Sequence, residues 1–137
     1  MRQVSMPVLL APLTIGAAAL LAAFPVEAHH SFAMFDQQKV MTLNGTVKEF
    51  RWVNPHSAIF VKVDGSDDPD KLWSVEMTSP SNLTRRGWTR DTLKPGDRIS
   101  VEINPLRDGR HGGGFRSATL LDSGRVLGGN LFTAGQS

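Results

Sequence analysis

Apolar side chains alternate with polar ones in five short segments of the chain, and this period of two limits its possible folds more than any other feature. Turn residues such as Asn54-Pro55-His56 and Lys94-Pro95-Gly96-Asp97 separate the segments. Alternation that is rich in β-branched and aromatic residues predicts strands that bury one face. We therefore predict strands over 40–53, 57–63, 71–77, 98–104 and 115–121, with a short return strand at 126–127.

One stretch between the third and fourth strands follows a different pattern. Ser79 precedes Pro80, which is the order of an N-cap residue and the first helical position. Gly87 then supplies the residue that commonly follows the last turn of a helix. The sequence predicts a single short helix over 80–86.

Five strands with a helix between the third and the fourth is the order of the OB-fold, a small Greek-key barrel. We therefore predict an all-β, OB-like barrel of five to six strands; a β-sandwich is the alternative, but it usually has more strands. Gly45 predicts a bulge or a bend in the first strand. Residues 105–114 are predicted to form a glycine-rich loop. The predicted inward face consists of Val47, Ile59, Val61, Val75, Ile99, Val101 and Leu120.

The first 28 residues have the parts of a secretory signal peptide. Arg2 gives a positive start, residues 8–23 are apolar, and small residues stand at Val26 and Ala28. The alternative is an uncleaved anchor helix, but the apolar run is shorter than the roughly 20 residues that a bilayer requires. We predict cleavage after Ala28, a periplasmic or secreted protein, and no membrane span after cleavage.

The predicted domain organisation is simple. Residues 1–28 form the signal peptide, 29–39 an N-terminal segment, 40–127 the barrel and 128–137 a frayed tail. The formal net charge is only +2, which does not indicate a nucleic-acid partner. Because the chain has no cysteine, its fold must be held by packing or by a ligand rather than by disulfides.

Several motifs along the chain keep the order found in one bacterial family. They are Ala28-His29-His30-Ser31-Phe32, Gly45-Thr46-Val47, Trp52 with Asn54-Pro55-His56, Ser79-Pro80-Ser81-Asn82-Leu83, Arg86-Gly87-Trp88-Thr89-Arg90-Asp91, Leu93-Lys94-Pro95-Gly96-Asp97, Asp108-Gly109 and Gly124-Arg125. With these motifs the chain resembles the domain-of-unknown-function family 6152 of small exported proteins. The resemblance implies a secreted β-barrel, and it brings no established activity, substrate or cofactor.

Cleavage after Ala28 would place a histidine at the mature amino terminus. His29 could then bind copper through its α-amine and Nδ1, as in histidine-brace proteins, because nitrogen ligands suit Cu(II). His56, in a turn at a strand end, is the best third ligand. His30 is less suitable because it adjoins His29, and His111 because it lies in the predicted glycine-rich loop. Alternatively, the His-His start serves export alone and His56 is a local turn residue.

A second hypothesis is a binding module without a metal. Tryptophan and arginine side chains could line the mouth of the barrel and bind an anionic small molecule, an oligosaccharide or another periplasmic protein. The candidate residues are Trp52, Trp88, Arg86, Arg90 and Glu76. Alternatively, Trp52 and Trp73 fill the core and the arginines are solvated.

Two further features favour structural roles. Glu76 is predicted to be a buried carboxylate that pairs with Arg51 or Arg86. The acidic stretch 64–70 is predicted to be a solvated hairpin loop, because it lacks the ligand spacing of a calcium-binding loop.

The sequence predicts no intrinsic catalysis. It contains no cysteine nucleophile and no G-x-S-x-G, H-E-x-x-H or P-loop motif. Its glycine-rich stretch at 109–114 leads into a predicted strand, so no helix N-terminus follows it to bind a phosphate. The expected partners are a metal ion, with copper as the candidate, a small ligand, or another periplasmic protein.

Overall fold

The computed structural model describes residues 32–66, 68 and 71–128. Within them the elements are β1 (Met41–Arg51), β2 (Ala58–Val63), β3 (Trp73–Glu76), α1 (Pro80–Arg85), β4 (Arg98–Pro105), β5 (Gly112–Leu120) and β6 (Val126–Leu127). The strand order is β3-β2-β1-β4-β5-β6, and a further parallel pairing of β3 with β5 closes the first five strands into a barrel. The predicted OB-like barrel is confirmed, with its helix between β3 and β4.

The start of β5 differs from the prediction. Residues 112–114 form strand rather than loop, and they pair with β3 on one side and β4 on the other. Three consecutive glycines carry no side-chain pattern, so their sequence gives no strand signal. Only the pairing of their backbones with two neighbouring strands makes them part of the sheet.

The core lies inside the barrel. Six of the seven predicted inward residues are buried, and Leu120 is partly buried against them. Phe115 is fully buried and meets Trp88 edge to face, with ring centroids 5.5 Å apart. Because the chain has no disulfide, this apolar packing is the main source of its stability.

Gly45 does not mark the bulge in β1, so that part of the prediction of a bulge or a bend was wrong. The irregularity lies two residues further on, between Val47 and Glu49. A Cβ at Gly45 would lie 2.8 Å from Cγ1 of Val61 and would collide with the carbonyl group of Lys62. Glycine is needed here because β2 approaches the backbone of β1 closely.

The predicted helix start is confirmed. The Ser79 hydroxyl accepts a hydrogen bond from the backbone N–H of Asn82 at 3.4 Å, and Pro80 occupies the first turn. Leu83 is the side chain that α1 buries in the core. The helix ends at Arg85, one residue earlier than predicted, and Gly87 adopts a left-handed φ of 83°. No helix in the described part of the chain is both long and apolar enough to cross a lipid bilayer.

The described part of the N-terminal segment packs against the end of β4. Phe35 is buried, and the backbone N–H of Asp36 donates to the carbonyl of Pro105 at 2.8 Å. The backbone N–H of Arg107 donates to the carbonyl of Met34 at 2.9 Å. These contacts fix residues 34–36 beside the loop that joins β4 to β5.

One surface ion pair makes the stability of the fold depend on pH. The guanidinium of Arg98 donates to both carboxylate oxygens of Asp64, at 2.8 and 2.5 Å, and so joins the start of β4 to the end of β2. The hydrogen bonds from Arg98 hold the pKa of Asp64 below its ordinary value of 3.8. Because the folded pKa is the lower one, this stabilisation is present above pH about 4 and is lost as pH falls through the folded value.

We therefore expect Asp64→Asn to lower stability at neutral pH and to flatten the acid side of the stability profile. Urea denaturation at a series of pH values measures both effects. Asp91→Asn, a change at an exposed carboxylate outside the ion pair, is the control. An unchanged difference between wild type and Asp64→Asn from pH 7 to pH 2 would contradict the assignment.

Candidate functional site

A histidine and a carboxylate meet at one end of the barrel. Ala58 of β2 pairs with Glu76 of β3, and the backbone N–H of Met77 donates to the carbonyl of Ser57 at 2.8 Å. This pairing brings His56, in the β1–β2 loop, next to Glu76. His56 Nδ1 lies 2.5 Å from Glu76 Oε1.

The His56–Glu76 pair is partly exposed to solvent, and its hydrogen bond orients the imidazole ring. The side chains of His56 and Glu76 are 36% and 29% exposed. Since Nδ1 of His56 is engaged by the carboxylate, Nε2 is the ring nitrogen that remains for another partner. A carboxylate behind one ring nitrogen is the arrangement that commonly fixes a metal-binding histidine.

The predicted ion pair between Glu76 and an arginine was wrong. Arg51 instead pairs with Glu49 at 2.9 Å, and its guanidinium carbon lies 4.4 Å from the ring centroid of Phe60. Arg86 lies beyond α1, where it lines a small pocket. The strand register decided the partner, because it places His56 rather than an arginine beside Glu76.

A half-open groove of about 410 Å³ adjoins the pair. It lies between the N-terminal segment, β3 with the residues before it, and the loop from β4 to β5. Its described lining consists of Met34, Phe35, Lys71, Leu72, Ser74, Glu76, Leu106, Arg110, His111 and Gly113. Glu76 therefore faces both His56 and the groove. No pattern in the sequence indicates this groove, because the groove forms only when β3 pairs with β5.

His111 is held in a defined position on one wall of the groove. Its ring stacks on Trp73 with centroids 4.7 Å apart and an angle of 4° between the planes. Its carbonyl accepts a hydrogen bond from the backbone N–H of Ser74 at 3.2 Å. His111, the last residue before β5, thus contacts β3 through both its ring and its backbone.

The residues of the proposed aromatic mouth do not form one surface. Trp88 is 3% exposed and packs in the core, and it borders the same small pocket as Arg86. Trp52 is partly buried, with its ring 5.6 Å from that of Phe50. Arg86 lines a pocket of about 130 Å³, and Arg90 is exposed after α1.

The structure describes only some of the residues of the predicted copper site. His29 and His30 lie outside the described residues. Between residues 32 and 128, leaving aside 67, 69 and 70, no three or more histidine, aspartate or glutamate side chains are grouped so that they could hold a metal ion. His56 and His111 both flank the region of Glu76, but they lie at opposite ends of β3, next to its last and first residues.

The family model described as a family of unknown function (DUF6152) matches residues 18–115, which is more than half of the chain. The chain belongs to that family. No match was found among the curated proteins or among the solved structures. The DUF6152 match includes His56, Glu76 and every described residue that lines the groove, whereas β6 lies outside it.

Proposed function

We propose that this chain is an exported binding protein whose ligand is Cu(II). The proposed ligands are the α-amine and Nδ1 of a mature N-terminal His29 and Nε2 of His56. The observation that carries the proposal is the hydrogen bond between His56 and Glu76. It orients the imidazole and leaves one ring nitrogen for a metal.

The length of the N-terminal segment supports the proposal. Met34 is fixed by Arg107 and lines the same groove as Glu76. His29 lies five positions before Met34, and five steps of the chain span at most about 17 Å when fully extended. The amine of a mature His29 therefore starts no further than about this distance from a point already anchored at the groove that Glu76 lines.

The ligand chemistry favours copper among divalent ions. Amine and imidazole nitrogens suit Cu(II), which stands at the top of the divalent affinity order. The amine and both rings must be deprotonated to bind, so affinity falls as the pH is lowered. The proposal requires no catalytic step, because binding alone is what this arrangement supports.

The test uses the mature chain purified after export, with its first residue determined by mass spectrometry. We expect a Cu(II) titration followed by EPR to show three nitrogen ligands. His56→Ala should remove one of these nitrogens and lower the affinity at least tenfold. Glu76→Gln should keep the three nitrogens but weaken binding by about 10–100-fold, as loss of an outer-shell partner typically does.

Glu49→Gln is the matched control for Glu76→Gln, because Glu49 is a carboxylate paired with Arg51 away from the His56 ring. Its affinity and spectrum should equal those of the wild type. A mature chain that begins at Ser31 or later would overturn the proposal. So would a His56→Ala variant with unchanged affinity and an unchanged spectrum.

A further inference from the structure

The groove also has apolar walls, which the proposed copper site does not use. Its walls include four apolar side chains: Met34 and Phe35 from the N-terminal segment, Leu72 before β3 and Leu106 after β4. Met34 and Leu72 are exposed. Exposed apolar side chains that converge in a concave site are typical of small-molecule binding sites, and 410 Å³ lies within their usual size range of about 300–1,000 Å³.

Two glycines lie at the wall of this groove. Gly113 lines it without a side chain, and a Cβ at Gly112 would lie 3.0 Å from Cδ1 of Leu106. A larger residue at Gly112 would push Leu106 from its place in the wall. The glycines that the sequence pattern could not assign thus help to shape the groove.

Charge in the groove favours an anion. Lys71 and Arg110 bring two cationic side chains to its lining, and Glu76 is the only carboxylate among the described lining residues. Glu76 already accepts a hydrogen bond from His56, and Nε of Arg110 is held by Asp108 at 2.7 Å. The Asp108 contact orients the guanidinium and leaves its terminal nitrogens as donors.

His111 adds a further donor. Its Nδ1 is buried and has no hydrogen-bond partner among the residues that the structure describes. An N–H group buried without an acceptor is costly, so the ring proton belongs on Nε2. Nε2 is then the atom through which His111 donates to a partner, and Trp73 behind the ring fixes its plane.

We propose that the groove between Met34, β3 and the β4–β5 loop binds a small monocarboxylate with an apolar body. The carboxylate is placed at Lys71, Arg110 and His111. The apolar body lies on Leu72, Leu106 and the Met34 side chain. This chemistry is shared by short fatty acids and by aromatic acids, and both are tested below.

The test is an NMR titration of the ¹⁵N-labelled mature chain in EDTA, so that its outcome is independent of copper. Octanoate and 2-naphthoate are the two probes, and octylammonium is the charge control. We expect shifts confined to residues 34–35, 71–76 and 106–113, and at least tenfold tighter binding of one carboxylate than of octylammonium. The tighter carboxylate identifies an aliphatic or an aromatic ligand class.

Two substitutions test the role of charge. Lys71→Gln and Arg110→Gln should each weaken binding of the preferred carboxylate about tenfold. Lys62→Gln is the matched control, because Lys62 is exposed on β2 and lines a different depression. Equal binding of octylammonium, shifts spread over the whole barrel, or unchanged affinity in both groove variants would each overturn the proposal.

Discussion

Phe115→Ala is expected to lower the free energy of unfolding by about 3–5 kcal/mol, the usual cost of removing a fully buried phenylalanine ring. Phe115 is fully buried in β5 and packs edge to face on Trp88 at 5.5 Å. The substitution removes this aromatic contact and leaves a cavity in a core that no disulfide supports. Urea denaturation followed by circular dichroism measures the change, with the slope m compared between the two proteins.

Val126→Ala serves as the control for Phe115→Ala. Val126 lies in β6 and is 70% exposed, so its truncation should change the free energy of unfolding by no more than about 0.5 kcal/mol. Phe115→Leu should fall between the two, because it retains most of the apolar volume. A loss of less than about 1 kcal/mol in Phe115→Ala, below the normal range for such a cavity, would show that β5 does not pack as described.

Gly113→Ala should be nearly as damaging although it adds a single methyl group. The new Cβ would lie 2.8 Å from Cδ1 of Ile103 and would collide with the carbonyl oxygen of Asn104. Gly113 pairs with Val75 of β3 and with Pro105 of β4, so its backbone cannot move aside without breaking the sheet on one side. We expect a loss of about 3 kcal/mol, at the upper end of the cost of overpacking.

Gly128→Ala is the matched control for Gly113→Ala. Its nearest neighbour would be Cγ1 of Val126 at 3.9 Å, which is an ordinary contact. Thermal unfolding of both variants gives the comparison, and the Gly128 variant should melt within a few degrees of the wild type. If Gly113→Ala melted at the same temperature as Gly128→Ala, the close approach of β3, β4 and β5 would be refuted.

The period-two pattern predicted the strands well because each one buries a single face. Val47, Ile59 and Val101 are buried where the alternation places them. The Ser79-Pro80 cap was predicted equally well, since capping depends on residues within one turn of the helix. These features are local, so the neighbouring sequence is sufficient to indicate them.

The errors concern residues whose roles are set by distant strands. Gly45 was expected to mark a bulge or a bend, but the bulge lies elsewhere, and the approach of β2 is what requires glycine there. Residues 112–114 became strand because β3 and β4 pair with them. Glu76 was predicted to pair with an arginine, but the register between β2 and β3 places His56 beside it instead. None of these contacts joins neighbours in the chain.

The amino-acid sequence by itself determined the strands, the capped helix and the barrel order, because burial of one face and capping are properties of short segments. It also placed His29 behind a predicted cleavage site. Only the tertiary structure decided that His56 meets Glu76 and that Met34, Lys71 and His111 share one groove. The contact of His56 with Glu76 depends on the register between β2 and β3, whereas the groove depends on the closure of the barrel between β3 and β5. Both bring together residues that lie about 20 to 80 positions apart in the chain.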